Sequence, residues 1–207
     1  MLHAIEDHFA ASGRTPKGRQ ALRSIFRATY RTVSEKGSPA SLDRIADRAG
    51  LSQAALRHYF ATRDELLTGF FTLAVDWFQS RITEMLAESN VPARLKLERC
   101  LAQHLEYMEG VDTVFWLEAS AFWLRKARHR RIRDQWYRWL LGQYAGLIGQ
   151  MRPALGPRER KRIAYAVLTL VLGAWITHGR GSSVDDEGNV VQRRKRLVAT
   201  ALNLVEY

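Results

Sequence analysis

The stretch Ser41 to Leu67, SLDRIADRAGLSQAALRHYFATRDELL, constrains this chain more than any other, because it reads as two short helices joined by one tight turn. Ser41 is placed to cap a helix whose apolar residues Leu42, Ile45, Ala46 and Ala49 recur at helical spacing. Asp43 sits in its first turn, where the helix dipole favours a carboxylate. Gly50 ends it: a residue just past a helix end commonly turns left-handed, which glycine does without a side-chain penalty. Ser52 caps the next helix, and Leu51 is expected to pack on Leu56 as a hydrophobic staple. Thr62 then caps a third, with Glu65 three residues on, a capping box that puts Arg63 beside amides able to hold a phosphate.

In a helix-turn-helix the second helix lies in the DNA major groove and its N-terminal residues face base edges. Here those residues are Ser52, Gln53, Ala54 and Ala55: the Gln53 amide matches adenine, and the alanine methyls match thymine. Arg57, His58 and Tyr59 come later and are expected at phosphates, contacts that position without reading sequence. With Ser41 and Arg63 they complete the expected DNA-facing set. A bare turn between two helices is a common accident of α-helical proteins, but the order here is more specific. Ser41-Leu-Asp-Arg-Ile-Ala-Asp-Arg-Ala-Gly-Leu-Ser52, then Leu56, His58-Tyr59-Phe60 and Arg63-Asp-Glu-Leu-Leu67, resembles the DNA-binding domain of the TetR family of bacterial transcriptional regulators. That family most often has threonine and an aromatic residue where this chain has Ala55 and Arg57.

The resemblance implies an all-α chain in which an N-terminal three-helix DNA-binding domain is joined by a long helix to a C-terminal helical ligand-binding and dimerisation domain. About nine helices are expected. Residues 1–16 show no sustained apolar face and read as a mobile arm, 17–64 as the DNA-binding domain and 65–207 as the ligand-sensing and dimerisation domain. The helices are expected near 17–36, 41–50, 52–60, 62–88, 92–108, 113–126, 129–151, 157–178 and 191–205, with a glycine-containing loop from Gly179 to Gly188.

Charge fits a polyanionic partner, with a formal net charge of +11 and a pI of about 10.3, although charge alone does not choose between DNA, RNA and anionic lipid. Cys100, the one cysteine, excludes an internal disulfide and suits a cytoplasmic location. The N-terminus lacks the apolar region of a secretory signal. The longest apolar run, Ile163 to Ile176, is about 14 residues against the roughly 20 that a bilayer core requires. No nucleophile elbow, glycine-rich phosphate loop or metal motif is found, and His104, His129 and His178 stand alone. An enzyme is therefore the least favoured reading, and neither a cofactor nor a metal is expected.

The C-terminal half is expected to hold the signal. The penultimate helix is apolar most of the way round, through Ile163, Val167, Leu170, Val171 and Ala174, and so calls for a cover on more than one side. The resemblance implies a homodimer in which the last two helices of each subunit form a four-helix interface, with Leu197 and Leu204 on the final helix. It also implies a small-molecule effector that moves the helix carrying the motif. Tyr107, Trp116, Trp123 and the Gly173-Ala-Trp175 stretch are similar to the branch that includes the choline-sensing BetI-type repressors. Trp116 and Trp123 lie two turns apart and share a face with Ser120, near Glu118, so with Trp77, Tyr107 and Trp175 they form a candidate cation pocket. For any single tryptophan at helical spacing, a plain core residue is the favoured reading. The run Arg125 to Arg138, seven basic residues and one acid, has the charge to attract an anionic ligand or add a second DNA patch, but the favoured reading is a solvated face kept away from DNA by its place in the ligand domain. The expected function is a repressor released from double-stranded operator DNA by a small molecule. The alternative keeps the DNA binding under control of a protein partner, or of none.

Overall fold

Local stop and start signals divide the chain into ten helices among the described residues, with no strand between them. The computed structural model describes residues 2–37, 41–106, 112–177 and 189–207, leaving aside the side chains of 2–4, 112, 113, 115, 116, 175 and 176. The helices are α1 (Leu2–Ala10), α2 (Pro16–Lys36), α3 (Leu42–Ala49), α4 (Gln53–Tyr59), α5 (Arg63–Ala87), α6 (Ala93–Glu106), α7 (Asp112–Arg125), α8 (Ala127–Met151), α9 (Pro157–Thr177) and α10 (Val190–Glu206). Nine of them match the expected helices to within a few residues. The expected loop from Gly179 to Gly188 lies outside the described residues.

The tenth is α1, in the stretch read as a mobile arm. Its Ile5, Phe9 and Ala10 are buried. Phe9 packs on Phe26 of α2 at 5.5 Å between centroids, on Phe60 at 6.1 Å and on Phe70 of α5 at 6.2 Å. Burial of one such ring contributes roughly 1.5–3 kcal/mol, enough to hold a helix this short. Glu6, nearly buried, accepts from the Arg27 guanidinium at 2.8 Å, and that bond raises the Arg27 pKa.

Two compact units result. One comprises Met1–Arg81 with Val114–Ile132, the other Ile82–Thr113 with Arg133–Tyr207. Residues 114–132, expected in the ligand-sensing part, thus pack with the N-terminal helices. Phe71 of α5 meets Phe122 at 5.3 Å and Trp123 at 6.2 Å, and the start of α8 is pinned to the start of α5 by charge.

In the second unit the apolar faces of α6, α8, α9 and α10 meet around Leu101, Ile148, Val167 and Ala201, all fully buried. A polar pair sits in this core: His104 Nδ1 and the Tyr144 hydroxyl are 2.7 Å apart. Burial lowers the His104 pKa to about 4 and raises that of Tyr144. Arg94 at the start of α6 donates to Glu206 at the end of α10 at 2.7 Å, and Arg152 donates to the Val205 carbonyl at 3.1 Å.

The helix periodicity that suggested a partner subunit is largely answered inside the chain. Ile163, Val167, Val171 and Ala174 are already buried in the single chain, because one apolar stripe serves an internal core as well as a partner. Of the seven residues expected at a dimer interface, Leu170 and Leu197 are half-buried and Leu204 is exposed. The exposed strip of α9 runs instead through Tyr165, Ala166, Thr169 and Gly173.

Candidate nucleic-acid interface

The reading helices are set by their own caps. Ser41 Oγ accepts from the Arg44 amide at 3.3 Å to start α3, and Gly50 ends it at φ 68°, ψ 31°. There Leu51 N–H reaches back to the Ala46 carbonyl at 3.0 Å, the bond of a left-handed helix stop. Two residues later Ser52 Oγ accepts from the Ala55 amide at 3.1 Å and α4 begins. Thr62 Oγ1 accepts from the Glu65 amide at 3.1 Å to start α5. The expected capping box is modified: the Glu65 carboxylate accepts from Ala61 N–H at 3.0 Å, one residue before the cap.

This geometry points the first turn of α4 outward. Ser52, Gln53, Ala54, Arg57 and His58 are exposed and Ala55 is half-buried, whereas Leu56 faces inward and is fully buried. Tyr59 is half-buried with its ring edge-on to His58 at 5.7 Å. Arg48 bonds to Glu35 of α2 at 2.8 Å, fixing α3 to α2 and lowering the Glu35 pKa. Hence an amide, a hydroxyl, methyls and cations stand on one short helix whose opposite side is anchored, which is the chemistry that base edges and phosphates require.

Sequence reasoning missed the residues that hold α5 in place. Asp64 in the first turn of α5 accepts from Lys126 at 3.1 Å, pairs with Arg128, and lies 3.7 Å from His129 Nε2. Thr68 Oγ1 is 3.2 Å from the same nitrogen, and the His129 ring stacks on Phe122 at 4.1 Å. Burial first, then the Arg128 charge, lowers the His129 pKa. Asp64 and Lys126 are separated by 62 residues, so no local signal reveals their meeting.

The expected effector pocket is only partly described. Tyr107 lies outside the described residues, as do the side chains of Trp116 and Trp175. Trp77 and Trp123 are core residues, 8% and 2% exposed, with Trp77 edge-on to Phe78 at 5.0 Å. Trp123 keeps a buried indole N–H with no hydrogen-bond partner among the described residues. Half-buried Glu118 lies against the end of α2, where a Cβ on Gly37 would come within 2.8 Å of its Oε1; half-buried Ser120 is one turn before Trp123. A groove of about 600 Å³ opens between α6 and α10, with Val198 and Leu202 on its floor and Arg94, Glu98, Arg194 and Lys195 on its rim. None of the helices is long and apolar enough to cross a membrane, among the described residues.

Comparison with known proteins finds similarity to transcriptional regulators. Residues 25–69, from within α2 to the start of α5, match the model of the bacterial regulatory proteins of the tetR family. The HTH-type transcriptional regulator PksA of Bacillus subtilis is 35% identical over 111 residues, 53% of this chain and 52% of that protein. The match therefore spans about half the length of that relative. The HTH-type transcriptional regulator BetI of Stenotrophomonas maltophilia is 25% identical over 187 residues, covering 86% of this chain and 91% of that one. A transcriptional regulator from Pseudomonas aeruginosa PAO1 shares the fold, with a TM-score of 0.75 at 17% identity over 93% of this chain and 90% of that chain. The capped helix-turn-helix thus lies in the segment that matches the tetR family, and the all-helical fold is similar to that of a solved transcriptional regulator.

Proposed function

We propose that this chain is a dimeric repressor that reads operator DNA through the exposed first turn of α4 and is released by a small molecule. The observation that carries the reading is the placement of Gln53 and Ala54, exposed on a helix anchored by Leu56 and bounded by Gly50 and Ser52. Gln53 is the sequence-reading residue, Arg57, His58 and Tyr59 are phosphate contacts, and Arg63 holds a phosphate at the start of α5. Ser41 and Ser52 set the two helices as caps.

Dimerisation through α9 and α10 is supported by their exposed strips. Tyr165 is 65% and Leu204 42% exposed, and Gly173 has open space where a Cβ would stand. The small residues let a second backbone approach closely. For the effector, the unpartnered Trp123 N–H is a donor that a ligand acceptor would satisfy, and a groove of about 600 Å³ lies in the range of small-molecule sites. Ligand and operator are then reciprocally coupled, each lowering affinity for the other by the same factor.

The test is fluorescence anisotropy with the DNA immediately upstream of this chain's own gene, against a scrambled duplex at physiological salt. Preference for the upstream DNA that Gln53→Ala abolishes supports the reading. Equal binding to both duplexes by the unaltered protein, untouched by Gln53→Ala, contradicts it.

A further inference from the structure

We propose that the junction of α7 and α8, Arg125 to Arg131, is a second surface for the DNA phosphate backbone, working beside the first turn of α5. The inference rests on the DNA-binding reading above and extends it to residues outside the helix-turn-helix. Five of the seven residues in this stretch are cations, Arg125, Lys126, Arg128, Arg130 and Arg131, and none is an acid. Lys126 and Arg128 are held by Asp64. Arg125, Arg130 and Arg131 are exposed and form no ion pair among the described residues.

A solvated helix face usually intersperses charges of both signs, and this chain does so elsewhere. Arg162 bonds to Glu159 on α9, Arg99 to Glu88, and Arg48 to Glu35. At the junction the cations instead crowd the start of α8, whose first turn has no acid, and there the helix dipole works against them. Their position is fixed as well. The bonds from Lys126 and Arg128 to Asp64, with His129 against Thr68, tie the junction to the helix turn that carries Arg63. Arg125 is near enough to Arg63 to help lower its pKa, behind burial. Asp64 offsets two of the five cations; Arg125, Arg130 and Arg131 have no acid partner among the described residues and repel one another, and an anion spanning them removes that repulsion. Duplex DNA supplies anions at about 1.7 Å intervals along its axis, and the arginine fork matches phosphate geometry.

The test measures the salt dependence of binding to both the upstream and the scrambled duplex. Each lost phosphate contact lowers the slope of log K against log salt by about 0.9. R125Q/R130Q/R131Q is therefore expected to lower the slope by roughly 2 to 3 per bound subunit and to weaken both duplexes by a common factor, leaving their ratio intact. R125K/R130K/R131K retains the slope. R138Q/R158Q/K161Q removes the same charge from exposed sites on α8 and near the start of α9 and leaves the slope unchanged. Circular dichroism establishes that each variant is folded, and the single substitutions read the contacts one at a time should the triple variant not fold. An unchanged slope in folded R125Q/R130Q/R131Q, or an equal loss in R138Q/R158Q/K161Q, overturns the proposal. Failure of the sequence-reading role shows separately, as unaltered protein that binds both duplexes alike.

Discussion

The helix-turn-helix and the core of α6, α8, α9 and α10 are organised over different distances along the chain. In α3, α4 and the start of α5 the deciding polar contacts span three residues: Ser41 to Arg44, Ser52 to Ala55, Thr62 to Glu65. In the second unit they span far more, 40 residues from His104 to Tyr144 and 112 from Arg94 to Glu206. The first arrangement is exposed and modular, so each lost cap costs a little and stays local. In the second, the His104–Tyr144 pair is buried, and there an unmet polar group costs much more than its bond contributes.

The largest expected effect follows from His104. Its pKa falls from 6.5 to about 4 on folding. The unfolded chain therefore takes up a proton between those values while the folded chain does not, and stability drops as pH falls through that window. At about 1.4 kcal/mol per unit, the drop is about 3 kcal/mol. The His129 pKa is lowered too, mainly by burial, and adds loss of the same sign. Denaturant unfolding from pH 7 to 4.5, with NMR titration of the imidazoles, checks this; a His104 that titrates near 6.5 breaks the contrast between the units.

Tyr144→Phe comes next. It strands His104 Nδ1 in the core and is expected to cost about 1–3 kcal/mol in urea unfolding. His104→Leu added to it removes the stranded group, so the double variant is expected to lose less than the two single losses combined. Smallest is Ser52→Ala, about 1 kcal/mol from one missing cap, read in the same experiment with the α6–α10 core undisturbed. A Tyr144→Phe loss below that of Ser52→Ala would mean that the buried pair is better hydrated than its surroundings indicate.

The same difference in range decides what the sequence makes legible. Caps and helix stops act within a few residues, so α3, α4 and the start of α5 can be read from Ser41, Gly50, Ser52 and Thr62 nearly to the residue. Helix α1 is obscured because Phe9 finds its partners at Phe26, Phe60 and Phe70, far away in sequence. The surroundings of the basic junction are hidden for the same reason, since Asp64 lies 62 residues from Lys126. On α9 the limit is of another kind: Ile163, Val167 and Val171 have the spacing of a face that needs covering, but spacing does not say whether the cover comes from the same chain.

Hydroxyl-radical footprinting of the upstream DNA bound to the unaltered protein tests the central claim most directly. A dimer with one α4 in each of two major grooves predicts two protected patches on one face of the duplex, about one helical turn or a multiple apart, and both patches vanish with Gln53→Ala. Uniform protection without that spacing, unchanged by Gln53→Ala, would contradict it.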